Sequence, residues 1–292
     1  MKLINFYNQA LKFGRLADPR KDKKKIKNFE DSAILFGNAG LEVKKIMVGI
    51  DIEVAELLLG DRIREREGLD LVLGHHPEGK AYAGLHEVMR LQIDLLCQAG
   101  VAHKTASRLV QERMLEVQRR VLPQNHTRPV DAARLLNMPF MNLHTPADNH
   151  VYRYLDNIFK QKKPRLVEDI VKILNTIPEY QFAQKLKTGP RIILGSPKRT
   201  AGKILLEMTG GTEGSKDVFG KLYKAGVRTL VSMHLSEEHF KKVKDSNLNV
   251  VIAGHISSDN LGLNLLLDNI EKSAKQTFKV VACSGFKRIK RK

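Results

Sequence analysis

Tryptophan is absent from the sequence, and aromatic residues of every kind make up only 6% of it. This argues against an RNA-binding surface of the sort that interleaves aromatic and basic side chains. Cysteine is scarce too: Cys97 and Cys283 stand far apart and in no metal-type spacing. No disulfide framework is expected, and the setting reads as a reducing cytoplasm. No apolar run approaches the length of a membrane span, and the opening residues lack a secretory apolar core with its cleavage site. Acidic residues are in deficit, 32 Asp+Glu against 50 Lys+Arg, for a formal net charge of +18. The surplus gathers at residues 20–27, 160–165, 185–199 and 287–292. Such charge raises affinity for polyanions and is compatible with nucleotide or nucleic-acid binding; a solvated basic surface is the simpler account.

What is present is a series of short apolar strands alternating with amphipathic helices. At 292 residues the chain is long enough for one large or two ordinary domains. A strand at 43–49 is followed by Asp51, a helix at 52–66, and a strand at 69–74 that ends in His75-His76-Pro77. Strand–helix–strand order predicts parallel strands joined by a right-handed crossover, with ligands gathering at the carboxyl ends of the strands. A helical stretch at about 86–137 comes next, and His86, His103 and His126 within it have no recognisable partner spacing. A strand at 139–143 then delivers His144 and Asp148. In the second half, strands are expected at 191–195, 227–232, 249–254 and 278–283, and a long helix ends near residue 274. The loop 209–214 is rich in glycine and threonine but lacks the Gly-Lys-Ser/Thr ending of a P-loop, and reads as a turn.

The two halves match each other in three places. Residues 45–49 correspond to 191–195, and 71–76 to 229–234. Leu143-His144-Thr145-Pro146-Ala147-Asp148-Asn149 corresponds to Gly254-His255-Ile256-Ser257-Ser258-Asp259-Asn260. The fold class that follows is α/β: two duplicated lobes, 1–155 and 156–292, with mostly parallel sheets and a helical insertion in the first lobe. Two facing lobes would bring their strand ends to one cleft. The candidate metal ligands there are His75, His76, Asp148, His255 and Asp259. A His-x-x-x-Asp segment at the start of a helix places both side chains on one face. Mixed imidazole and carboxylate donors suit zinc, iron or manganese, and five of them suit two divalent ions.

These motifs in this order, residues 42–51, His75-His76-Pro77, His144-Thr145 with Asp148, and Ala253-Gly254-His255 with Asp259, resemble the Nif-three-like family, whose members include GTP cyclohydrolase 1 type 2 homologues. The resemblance covers most of the chain. It implies a duplicated α/β fold, a dinuclear metal site in the cleft held by the same five residues, and a homohexamer. The family usually has Glu where Asp259 stands. The activity implied is a metal-dependent hydrolase acting on a nucleotide, opening the purine ring at C8. Asp51 and His144 would then orient water or support the ligands, and basic residues near Lys198 and Arg199 would hold the triphosphate. The alternative is a non-catalytic, metal-containing regulatory protein that uses its basic surface on nucleic acid or a partner protein.

Overall fold

The computed structural model describes residues 1–291 and contains two β-sheets with helices on both faces of each. Its strands are β1 (Ala33–Phe36), β2 (Lys45–Gly49), β3 (Leu71–Gly74), β4 (Phe140–Asn142), β5 (Arg191–Leu194), β6 (Lys203–Glu207), β7 (Val227–Ser232), β8 (Asn249–Ile252) and β9 (Lys279–Ala282). The first sheet has the order β1-β4-β3-β2-β9 and the second β5-β8-β7-β6. In both, the first strand in this order is antiparallel to its neighbour and the others are parallel. The repeat is therefore 1-4-3-2 against 5-8-7-6, with β9 as an extra edge on the first sheet alone.

This topology corrects one of the three internal matches. Residues 191–195 form β5 and correspond to β1, not to 45–49; the counterpart of β2 is β6, which the sequence pattern does not announce. The confusion has a physical source. Ile192-Ile193-Leu194-Gly195 and Ile34-Leu35-Phe36-Gly37 are both short apolar runs ending in a positive-φ glycine, and strand direction leaves no mark on such a run.

The helices are α1 (Leu3–Ala17), α2 (Val54–Glu67), α3 (Gly79–Ala83), α4 (Leu85–Val88), α5 (Leu91–Ala99), α6 (His103–Val121), α7 (Arg128–Leu135), α8 (Thr145–Lys162), α9 (Val167–Leu174), α10 (Pro178–Lys185), α11 (Phe219–Lys224), α12 (Glu237–Lys244) and α13 (His255–Ala274). Alternation along the strands sorts the cores. Ile46, Val48, Leu71 and Leu73 pack with Leu3 and Phe6 of α1 and Leu263, Leu266 and Ile270 of α13. Met47, Val72 and Phe140 face the other way, onto Leu57 of α2 and Ala133 of α7. On the second sheet, Leu206, Val231 and Val251 meet Val151 and Leu155 of α8 and Ile170 of α9, while Leu230 and Val250 meet α11 and the insertion helices α5 and α6.

Two features go beyond the sequence expectation. The helical insertion arises within the first half, but α5 and α6 cover the second sheet. The helix after each His-bearing strand, α8 after β4 and α13 after β8, also packs largely on the other half's sheet. These two helices cross at the centre of the molecule, and the crossing depends on Gly262: a Cβ there would lie 2.6 Å from the carbonyl oxygen of Ala147. No helix is long and apolar enough to cross a membrane among the described residues.

Gly262→Ala is expected to destabilise the fold by about 1–3 kcal/mol, because the backbone of α8 has to move to admit the methyl group. Denaturant unfolding measures this, and an unchanged midpoint would show that the crossing is looser than described.

Candidate metal centre

The centre is assembled from three strand ends. All four residues of β3 are buried, and the chain leaves it with the N–H groups of His75 and His76 donating to the carbonyls of Gly49 and Ile50, 3.0 and 2.9 Å away. This tether turns both imidazoles out of strand alternation and toward one cleft. β4 ends at Asn142, and α8 begins at once with Pro146 in its first turn, so Asp148 stands one helical turn beyond His144. β8 passes into α13 through Gly254, whose φ of 109° permits the sharp entry, and Asp259 stands one turn beyond His255.

The structure brings His75, His76, Asp148, His255 and Asp259 together. His75 is fully buried. Its Nδ1 donates to the Leu143 carbonyl at 3.1 Å, which turns Nε2 toward Asp148 Oδ1 at 3.4 Å and Asp259 Oδ1 at 3.5 Å. His76 Nε2 lies 3.5 Å from Asp259 Oδ2 and 3.3 Å from His255 Nε2, and His255 Nε2 is 3.6 Å from that same oxygen. His75 Nε2, Asp148 Oδ1 and both oxygens of Asp259 are buried without a hydrogen-bond partner. Converging lone pairs in a buried setting carry a large desolvation penalty unless a cation lies among them. The donor set therefore fits a metal ion. Two triads have donor atoms close enough to share one, His75-His76-Asp259 and His75-His144-Asp148.

Second contacts orient the rings. Asp51 Oδ1 accepts from His76 Nδ1 at 2.6 Å. Asp31 Oδ2 accepts from His144 Nδ1 at 2.7 Å and from the Thr145 hydroxyl at 2.6 Å, leaving His144 Nε2 aimed at Asp148 Oδ2, 3.7 Å away. Carboxylates behind imidazoles in this way fix the tautomer and raise ligand basicity. The field of the cluster is visible in its proton affinities. Burial alone would lower His76, but Asp259 and Asp51 hold it up at about 9. Burial likewise works against protonation of His75, and Asp259 and Asp148 more than offset it. Burial works to raise Asp259, but the histidines facing it hold it well below the carboxylate range.

Sequence reasoning misses part of the site. Asp31 precedes β1 and has no spacing relation to any ligand. His234, at the end of β7, matches the His75-His76 region but lies outside the expected ligand set; its ring lies against that of His255, centroids 4.7 Å apart and tilted by 53°. Its Nδ1 lies 3.4 Å from Glu213 Oε1. Glu213 also accepts from the Ser236 N–H and lies 3.2 Å from His239. Burial raises Glu213, but hydrogen bonds from His234 and Ser236 bring it down to about 2. The loop carrying Glu213 is gripped by the insertion helices: Gln92 donates to the carbonyls of Gly210 and Thr212, and Arg113 to that of Glu213. Lys198 and Arg199 do not reach the cleft. Lys198 pairs with Glu168 at 2.9 Å, and Arg199 bonds Asn247.

A cavity of about 450 Å³ opens on His76, His144, His234 and His255. Its walls include Tyr82, Leu85 and Glu78, and Arg128 is its one arginine or lysine. Burial and the neighbouring Glu53 push Glu78 up to about 7.

Comparison with solved structures identifies the fold. A NIF3 superfamily protein from Sphaerobacter thermophilus matches 97% of this chain and 98% of its own, with a TM-score of 0.80 and 28% identity. The chain has the fold of NIF3 superfamily proteins and resembles them over nearly its whole length. Reduced HcgD from Methanocaldococcus jannaschii (TM-score 0.55, 14% identity, 97% of each chain) and TTHA1606 from Thermus thermophilus (0.51, 13%, 97% of each) share the fold. No protein-family model and no curated protein matches the sequence. In this NIF3-like fold Asp259, despite its short side chain, presents one oxygen to His75 and the other to His76 and His255.

His150, one turn along α8, gives a pH test of the buried region. It donates to the Pro146 carbonyl at 2.7 Å, and burial, aided by nearby Arg153, lowers it to about 4 against that hydrogen bond. The unfolded chain takes up this proton near pH 6.5 and the folded chain only near 4. Stability is therefore lost as pH falls through that window, by about 3 kcal/mol for this group. Denaturant unfolding at several pH values should show a shallower acid slope for His150→Asn than for wild type; equal slopes would count against the assignment.

Proposed function

We propose that this chain is a dinuclear metal-dependent hydrolase acting on a nucleotide-like substrate. The observation that carries the reading is Asp259, whose two unpartnered oxygens face different histidines across the centre. A carboxylate so placed would be able to contribute to two donor sets. His75, Asp148 and His144 would complete one donor set, and His76 and His255 the other. When bound, two divalent ions (zinc, iron or manganese) supply Lewis acidity and a water of lowered pKa.

The remaining roles belong to the chain. Asp31 and Asp51 hold His144 and His76 in their orientations. His234 stands on the cavity wall, where it can take or give a proton, and Glu213 behind it keeps its ring in place. Tyr82 and Leu85 offer a flat, partly apolar wall for a heterocycle. Cationic complementarity is limited to Arg128, itself paired with Glu53 at 2.8 Å. That favours a substrate with few phosphates over GTP, the substrate implied by the family resemblance.

Metal analysis of the purified protein, followed by hydrolysis assays on nucleoside mono- and triphosphates, tests this reading. We expect bound divalent metal, its loss with retained fold in the His75→Ala/His76→Ala variant, and turnover that a chelator abolishes. Metal-free protein of full stability would sink the proposal. Glu213→Gln should lower kcat by about tenfold or more while metal content stays at the wild-type level. A light-scattering mass on the same preparation tests the homohexamer that the family resemblance implies; a monomer would overturn that part.

A further inference from the structure

The duplicated fold is unequal at one place. In the first sheet β9 lies parallel against β2, pairing Lys45 to Lys279 through Val48 to Ala282, and closes that edge. The equivalent strand of the second sheet, β6, pairs with β7 on one side and with no strand on the other among the described residues. The segment that leaves α8, residues 163–166, does not run along β6. It makes an isolated bridge from Leu166 to Thr200 and turns into α9.

An open groove of about 720 Å³ lies at this free edge. Five consecutive residues, Gly202 to Leu206, line it. Successive side chains of a strand point to opposite faces, so a groove that touches them all runs along the backbone edge. The walls come from the loop after α1, from the end of α5 and from α8. They are basic, with Lys21, Lys23, Arg153, Lys160 and Lys163 among them, against the carboxylates Asp18 and Asp156. Both carboxylates are already engaged, Asp18 by Arg20 at 2.8 Å and Asp156 by Lys160 at 2.6 Å. Among the described residues, no carboxylate pairs with Lys21 or Lys163.

We infer that this groove is a docking site for an extended acidic segment of a partner protein, added to β6 as a further strand. Main-chain pairing with an exposed edge supplies affinity, and side-chain complementarity supplies choice of partner. The chain shows the geometry on itself, since β9 does to β2 what the partner would do to β6. Exposed edges are normally covered or blunted. Here the flanking charge leaves the edge open to an anionic strand and repels basic ones, including the chain's own basic segments.

The probe is a fluorescent peptide of alternating Val and Glu, titrated into the full-length protein by anisotropy, with a backbone N-methylated peptide of the same sequence as control. Binding is expected for the first and lost for the second, because N-methylation removes the strand's donors. Lys21→Glu/Lys163→Glu should weaken binding by about tenfold or more, with unfolding midpoint and metal content unchanged. Equal binding of the N-methylated peptide, or of a single-stranded oligonucleotide, would overturn strand addition in favour of plain polyanion attraction. Absence of binding overturns it, as does self-association that the charge reversal abolishes, which would make a second copy of this chain the occupant.

Discussion

A fully buried carboxylate among three imidazoles is the constraint on which the structure depends. Asp259 and Asp148 sit on α13 and α8, each one turn in from a strand end, and neither gains the hydrogen bonds that would ordinarily justify burying a charge. Opposite charge is the remaining way to stabilise them, as protonated imidazole or as metal. The protein accordingly places histidines on every side and locks their far nitrogens with Asp31, Asp51 and the Leu143 carbonyl. The close crossing of α8 and α13 serves the same end. Without a glycine at 262 the two aspartates could not be held at this separation while each helix packs on the opposite sheet.

Much of this is legible in the sequence because the chemistry sits at strand ends. A run such as Leu71–Gly74 followed by paired histidines announces both the strand and the exit, and the repeated His-x-x-x-Asp segments announce the second wall. What is not legible has physical reasons. Asp31 reaches His144 across more than a hundred residues, which no spacing rule encodes. β6 is half-exposed and polar at both ends, Lys203 and Glu207, so its apolar run is short. Helix α10 begins at Pro178, a residue that reads as easily as the end of the preceding helix. Nor does amphipathicity say which sheet a helix will cover: α5 and α6 have apolar faces, and only the tertiary structure shows that these meet β7 and β8.

The basic surplus also resolves into parts. Lys198, Lys172 and Glu168 form one exposed cluster far from the centre. At the other end of the chain, Arg288 and Lys290 close on Glu271, and Arg291 on Glu179, so much of the terminal charge is neutralised locally. Some of the charge without a carboxylate partner, Lys21 and Lys163, lies beside β6. A net charge of +18 is thus a poor guide to the cleft, whose polar chemistry is dominated by imidazole and carboxylate.

The position of β9 bears on how the molecule is made. The strands of the second sheet arise from one continuous stretch, residues 191–252, whereas the first sheet gains its last strand, and its core the helix α13, only after residue 254. During synthesis from the N-terminus, the early strands β1 to β4 emerge with one face covered by α1 alone and the edge of β2 bare. They wait for the final stretch of the chain. Such a layout makes completion of the centre, through His255 and Asp259, wait on the part of the chain made after residue 254.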